Sequence, residues 1–250
     1  MTDSAAANDL RAHRAYRNDL RTRLVAAREA LPAETHARLS NEIERHLAAL
    51  LDALKPGVLA FCWPFRAEFD ARPLVTAQLS RGLRACLPVV MDKDSPLEFR
   101  AWTPHSEMVE DRYGIHIPAL GDTLRPDVIL MPLNGFDGAG YRLGYGGGYF
   151  DRSLAALSSQ SPGRPKIDLA PSGGGAAHGA DPGASQLPRP RAIGVGFELA
   201  RVGTIRPQAH DLPMEAIVTE AGIFEVKAGR LQPRQGKQGP GAADADRIAY

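Results

Sequence analysis

Residues 127–154 read DVILMPLNGFDGAGYRLGYGGGYFDRSL, and the order of features in this stretch sets the fold class. Val128, Ile129, Leu130 and Met131 are consecutive apolar residues, a pattern that suits a strand covered on both faces, as in the parallel sheets of α/β proteins. A turn-rich stretch follows, with Gly144, Gly146, Gly147 and Gly148 packed into five positions. Helical spacing then runs from Tyr149 to Leu157. A strand, a glycine-rich turn and a helix in that order are the opening of a βαβ unit.

The flanking sequence repeats the pattern. Short apolar runs at 58–63, 84–90, 97–102 and 191–197 are bounded by turn residues, and Ala216–Thr219 completes the set. Helices are expected from Asn8 or Asp9 as a cap up to Pro32, from Leu39 to Leu54 (ended by Lys55-Pro56-Gly57), and from Pro73 to Arg81. The expected architecture is a three-layer α/β domain, a mostly parallel, Rossmann-like open sheet flanked by helices. One domain is expected over 8–228. Within it, 158–190 contains 33 residues of which 22 are Gly, Pro, Ser or Ala. Such a stretch buries too little surface to offset its ordering entropy, so it reads as a disordered insertion. The Gln-, Gly- and Ala-rich stretch 229–250 reads as a flexible tail.

Composition narrows the function classes. The 250 residues carry 30 Lys and Arg against 29 Asp and Glu, a net charge of +1. No broad field recruits nucleic acid or an anionic membrane. Cys62 and Cys86 are the only cysteines, which leaves no disulfide framework and no cysteine zinc set, and both read as small buried thiols. With no apolar leader and no run near membrane-span length, a cytoplasmic protein is expected.

The chemistry concentrates in the glycine stretch. Glycines let backbone N–H groups turn toward an anion, and the helix start adds a positive dipole end. Arg142 brings a forked cation to the same loop and Asp151 a hard oxygen in the first helical turn, a combination that fits phosphate with magnesium. No Gly-Lys-Ser/Thr follows, so this is not a Walker A loop. Arg17 and Arg21, four apart, share a helix face; with seven arginines in 11–38, they also read as a solvated basic face. Trp63, Phe65 and Glu68 follow the first strand at its carboxyl end, where open α/β sheets bind ligands. Aromatic faces beside a carboxylate suit a flat heterocycle with N–H donors, although an acid near core aromatics is common without any ligand. Asp211 precedes the last strand and, before any resemblance is weighed, reads more readily as a cap or turn residue.

RLGYGGGYFDRSL resembles the signature of the 5-formyltetrahydrofolate cyclo-ligase family. The resemblance continues in order through RNDLRTRL, WPFRAEFD, LPVV, DRYGIHIPA, MPLNGFDGAGYRLGYGGGYFDR, RAIGVGF and HDLPMEAIVTE. Only 158–190 and the tail fall outside it. It implies an ATP-dependent dehydrating ring closure of 5-formyltetrahydrofolate to 5,10-methenyltetrahydrofolate, releasing ADP and phosphate through a phosphorylated formyl group. The resemblance further implies that Arg17, Arg21 and the loop Arg142, Leu143, Gly144, Tyr145, Gly146, Gly147, Gly148, Tyr149 and Phe150 bind ATP. Arg142 and Asp151 would be catalytic, and Asp151 and Asp211 would hold Mg2+. Trp63, Phe65 and Glu68, with Tyr145 to Tyr149, would receive the folate.

This chain departs from the family at three points. Arg17 stands where the family often has Lys, which changes the donor geometry. Phe150 replaces a frequent Tyr, and the 158–190 insertion follows the site helix. The partners implied are ATP and the folate, with a monomer expected and neither nucleic acid nor membrane. Two other readings remain at this level: a sugar-phosphate isomerase or CoA-transferase-type enzyme on a similar sheet, and a non-enzymatic nucleotide- or RNA-binding relative. ATP dependence separates the first from a cyclo-ligase, and salt-sensitive RNA retention would mark the second.

Overall fold

The computed structural model describes residues 2–159 and 189–234. Most of the expected insertion, 160–188, lies outside these, as does 235–250 of the expected tail. The chain opens with α1 (Thr2–Glu29) and α2 (Ala33–Leu54). Helix α1 begins ahead of the expected cap at Asn8 or Asp9, because Ala5-Ala6-Ala7 are strong helix formers and carry the helix through it. Pro32 separates the two helices, and Lys55 ends α2 in a left-handed conformation with its N–H on the Leu51 carbonyl.

The chain then runs through β1 (Val58–Ala60), α3 (Arg72–Leu79), β2 (Arg84–Val89), β3 (Glu98–Trp102), β4 (Met108–Glu110) and β5 (His116–Pro118). It continues with β6 (Val128–Pro132), β7 (Gly135–Asp137), β8 (Arg142–Leu143), α4 (Tyr149–Ser159), β9 (Arg191–Val195), β10 (Arg201–Val202), β11 (Ala216–Thr219), β12 (Gly222–Lys227) and β13 (Arg230–Pro233). Among the described residues the main sheet runs β13-β12-β11-β9-β6-β1-β2-β3. The inner strands β11, β9, β6, β1 and β2 are parallel. Antiparallel β3 closes one edge, and the β12–β13 hairpin closes the other.

The apolar run of β6 shows why this sheet is covered twice. Val128 and Leu130 join Leu47 and Leu51 of α2 and Val75 of α3 in one core. Ile129 and Met131 point to the opposite face, where Leu154 of α4 covers them with Phe136. Alternate residues of one strand thus serve two cores, and the three-layer architecture follows.

Two smaller sheets stand beside the main one: the β4–β5 hairpin, and β10-β7-β8 with α1 packed on it through Leu20, Leu143 and Ile205. Residues 230–233, expected to belong to a flexible tail, instead form β13, which pairs in register with β12 from Lys227↔Arg230 to Phe224↔Pro233. Ala228 (φ 50°) and Gly229 (φ 71°) make the two-residue turn, a form that requires positive φ at both positions.

Candidate active site

Strand β1 lies between β2, which it reaches through α3, and β6, which the chain reaches much later. The carboxyl ends of β1 and β6 therefore flank a topological switch point, where the crossovers diverge and leave a crevice. A cavity of about 940 Å3 opens there. That is the upper end of the roughly 300–1,000 Å3 usual for a small-molecule site.

One wall is the glycine loop. It leaves β8, whose partner β7 follows directly on β6, and it enters α4. Gly146 (φ 96°) and Gly148 (φ 65°) hold conformations that side chains resist. At Gly146 a Cβ would also stand 3.3 Å from Nη2 of Arg21. The loop is thus shaped with its backbone against cations. Arg21 donates from Nε to the Gly144 carbonyl at 2.7 Å, and burial, with Arg17 beside it, lowers its pKa.

Two arginine–carboxylate pairs line the same side. Arg142 grips Asp151 with both terminal nitrogens, at 3.2 and 2.9 Å. Arg17 reaches across from α1 to Asp211 at 2.6 and 3.4 Å. Burial raises the Asp211 pKa, but the Arg17 and Gln208 hydrogen bonds and the nearby charges outweigh that and hold it below the ordinary value. The Leu212 N–H donates to Asp151 at 3.1 Å, so the two carboxylates meet through adjacent residues. Each pair binds a forked cation to a hard oxygen donor, the two functions a metal–polyphosphate needs.

The opposite wall carries Trp63, Phe65 and Glu68. Trp63 stacks on His116 of β5, with ring centroids 5.2 Å apart, and also packs against the Arg72 guanidinium. Phe65 meets the Tyr145 ring edge-on. Glu68 is only 8% exposed yet lines the cavity. Its Oε2 accepts the Phe65 N–H at 3.1 Å, and its Oε1 accepts the Tyr145 hydroxyl at 2.9 Å. Burial pushes the Glu68 carboxyl up, against the opposing pull of Arg28, Tyr145 and the Phe65 amide. Burial and the Glu68 charge likewise push the Tyr145 phenol well above its ordinary value, so it remains a donor.

The structure brings Arg17, Arg21, Trp63, Phe65, Glu68, Arg142, the loop from Gly144 to Phe150, Asp151 and Asp211 to one cavity. Leu143 is the exception. It is fully buried beneath the loop with Leu20 and Ile205, because alternation along β8 turns it inward while Arg142 faces the cavity. Phe150 turns its ring toward the Arg142 guanidinium. Cys86 is buried as expected, but Cys62 is only half-buried and lines the cavity. Burial, with the Glu68 charge adding to it, pushes the Cys62 thiol up and leaves it a poor nucleophile.

Sequence reasoning missed Arg28, which touches Tyr145 from α1 at 3.2 Å. Its signal was present: Arg17, Arg21 and Arg28 fall at helical spacing on one face. It also missed Tyr113, at the tip of the β4–β5 hairpin, whose hydroxyl lies 3.1 Å from that of Tyr149. That contact joins segments distant in sequence and leaves no local pattern. Among the described residues no three His, Cys, Asp or Glu side chains gather as a metal nest. No helix among them is long and apolar enough to cross a membrane.

The sequence profile of the 5-formyltetrahydrofolate cyclo-ligase family matches residues 13–171. The chain is 34% identical to the 5-formyltetrahydrofolate cyclo-ligase of Escherichia coli over 133 residues, 51% of this chain and 73% of that one. The NMR structure of Aquifex aeolicus 5,10-methenyltetrahydrofolate synthetase superposes with a TM-score of 0.63 at 23% identity, covering 89% of this chain and 99% of that one. The Mycoplasma pneumoniae 5,10-methenyltetrahydrofolate synthetase gives 0.58 at 21% identity over 82% and 98%. The two structures share the fold, and the sequence matches carry the relationship: this chain belongs to the 5-formyltetrahydrofolate cyclo-ligase family.

Proposed function

We propose that the chain closes 5-formyltetrahydrofolate to 5,10-methenyltetrahydrofolate at the expense of ATP, inside the single cavity between the glycine loop and the Glu68 wall. Cyclo-ligase activity and ATP use follow from the family; the assignment of residues is our reading. The observation that carries it is the pairing of walls. A loop built for phosphate faces aromatic rings and a carboxylate suited to a pterin, across one space of about 940 Å3.

The chemistry explains why both are needed. The formyl oxygen of an amide is a poor leaving group. It attacks the γ-phosphorus, a P–O bond forms, and the bond to the ADP oxygen breaks. The folate N10 then attacks the activated carbon, its proton leaves to water, and the C–O bond breaks to release phosphate. Both steps call for positioning and charge neutralisation rather than a side-chain nucleophile.

In this reading Arg17, Arg21, Arg142 and the backbone of Gly144 to Phe150 hold the triphosphate and neutralise the charge that shifts to the leaving oxygen. Glu68 accepts N–H donors of the pterin, Trp63 and Phe65 confine the ring, and Tyr145 and Tyr149 border both substrates. Mg2+ fits Asp151 and Asp211, because magnesium is commonly held by one or two carboxylates plus substrate phosphates. Both carboxylates are bound to arginines, which an arriving metal–phosphate group would engage in their place. When bound, the ion supplies charge neutralisation on the phosphate oxygens. One chain supplies both walls, which supports action as a monomer, and dependence on ATP supports a cytoplasmic setting.

The test is near-UV absorbance of the purified protein with 5-formyltetrahydrofolate and magnesium. A methenyl-folate band that grows only when ATP is present is expected. A folded protein that binds nucleotide but gives no band would overturn the assignment.

A further inference from the structure

Arg28 is the most deeply buried cation in the vicinity of the cavity, 4% exposed, and it does not line the cavity itself. Its Nε donates to the Arg66 carbonyl at 2.9 Å. Its Nη1 donates to the Leu133 carbonyl and to Oδ1 of Asn134, both at 3.1 Å. These bonds fasten the end of α1 to the chain leaving β1 and to the chain leaving β6, the two segments that border the switch point. Its Nη2 is left facing the site, 3.2 Å from the Tyr145 hydroxyl and 3.8 Å from Oε1 of Glu68.

The direction of the hydrogen bonds gives this arrangement a consequence. A guanidinium only donates, so Tyr145 accepts from Arg28 and its own proton goes to Glu68 Oε1. Tyr145 belongs to the phosphate loop, and Glu68 belongs to the folate wall. A removed guanidinium would free the phenol to rotate and would leave a buried carboxylate without its cation, a costly state.

We propose that Arg28 is a positioning residue for the folate: acting through Tyr145, it fixes the orientation of the Glu68 carboxylate and ties that carboxylate to the phosphate loop. The inference rests on the reading of Glu68 as the acid that receives the pterin. The groups facing Glu68 are Arg28 from α1, the Tyr145 phenol from the glycine loop, and the Cys62 thiol beyond the end of β1, together with the Phe65 amide of its own turn. Of these, only Arg28 is a cation.

Steady-state kinetics of Arg28→Gln, Arg28→Lys, Tyr145→Phe and Glu68→Gln, over a range of pH, test the proposal. Arg28→Gln should raise the folate KM about tenfold and the ATP KM by clearly less, since Arg17 and Arg21 keep their own bonds to Asp211 and Gly144. The acid limb of kcat/KM for folate should move to higher pH by about one unit, since the carboxylate loses the charge that favours its ionised form. Arg28→Lys keeps the charge, so its limb should stay near that of the parent protein. Tyr145→Phe removes one hydrogen bond to the carboxylate and should move the limb in the same direction as Arg28→Gln. It decides the matter if Arg28→Gln does not fold.

An unmoved limb, or parallel rises in both KM values, would overturn the role of Arg28. Glu68→Gln separates the two levels of the argument. If it leaves the folate KM unchanged, the reading of Glu68 fails and the inference with it. If it raises that KM while the Arg28 and Tyr145 variants leave the limb in place, only the inference about Arg28 is lost.

Discussion

Asp151 carries the sharpest residue-scale consequence. Arg142 holds it with two hydrogen bonds, and the Leu212 N–H adds a third. An asparagine there is nearly the same size and keeps an acceptor for Leu212, so the fold should survive. What disappears is the negative charge, and with it both the grip on Arg142 and the oxygen proposed for magnesium. Asp151→Asn is expected to melt within a few degrees of the parent and to lose turnover by roughly a hundredfold or more, the scale of removing one preorganised electrostatic group. Near-normal turnover in the ATP-dependent absorbance assay would remove Asp151 from the metal site. The residue's place in the cavity is legible because its neighbours there are close in sequence: Arg142, the glycines and Asp151 fall within ten positions. Arg28 is not, since its partners come from residues 66, 133, 134 and 145.

Helix α1 is the element on which the site most depends, and polar ties carry much of its attachment. Its apolar anchorage is small: Leu20 and Val25 are the deeply buried positions, and Leu20 shares a core only with Leu143 and Ile205 among buried residues. Tyr16 and Leu24 pack at the edge of that core, and polar ties from His13, Tyr16, Arg17, Arg21, Arg28 and Glu29 add to the attachment. Leu20→Ala is therefore expected to cost about 2–5 kcal/mol and to raise the ATP KM, because the same helix presents Arg17 and Arg21. Thermal melting and ATP titration of the variant check this; a full stability loss with an unchanged ATP KM would show that α1 positions neither arginine. The element scale also explains what the sequence revealed. β6 and β9 were plain because both of their faces are buried. β8 and β10, two residues each, and β4 and β5, three each, are too short to leave a periodic signal. The Gln-, Gly- and Ala-rich composition around β13 hides it, since its residues are largely exposed and it is defined by its pairing with β12.

At the scale of the whole molecule, the cavity is assembled from the full span of the described chain. α1 supplies Arg17, the turn after β1 supplies Glu68, β8 supplies Arg142, the loop and the first turn of α4 supply Gly144 to Asp151, and the segment before β11 supplies Asp211. The Arg17–Asp211 pair joins the first and last of these, and its pH dependence sets the conditions for measurement. The folded Asp211 carboxyl titrates below its unfolded counterpart, so its stabilising effect is complete above about pH 4 and fades as pH falls through the depressed value. At neutral pH the tie is intact, and ligands report on the cavity alone. A ligand at about one hundred times its Kd contributes about 2.7 kcal/mol, or a rise in Tm of roughly 5–10 °C for a domain of this size. ATP with magnesium and 5-formyltetrahydrofolate should each produce such a shift. A non-hydrolysable ATP analogue together with the folate should reach at least the sum, because the two occupy opposite walls. A combined shift no larger than the greater single one would mean that both compete for the same space, and the two-substrate reading of the cavity would fail.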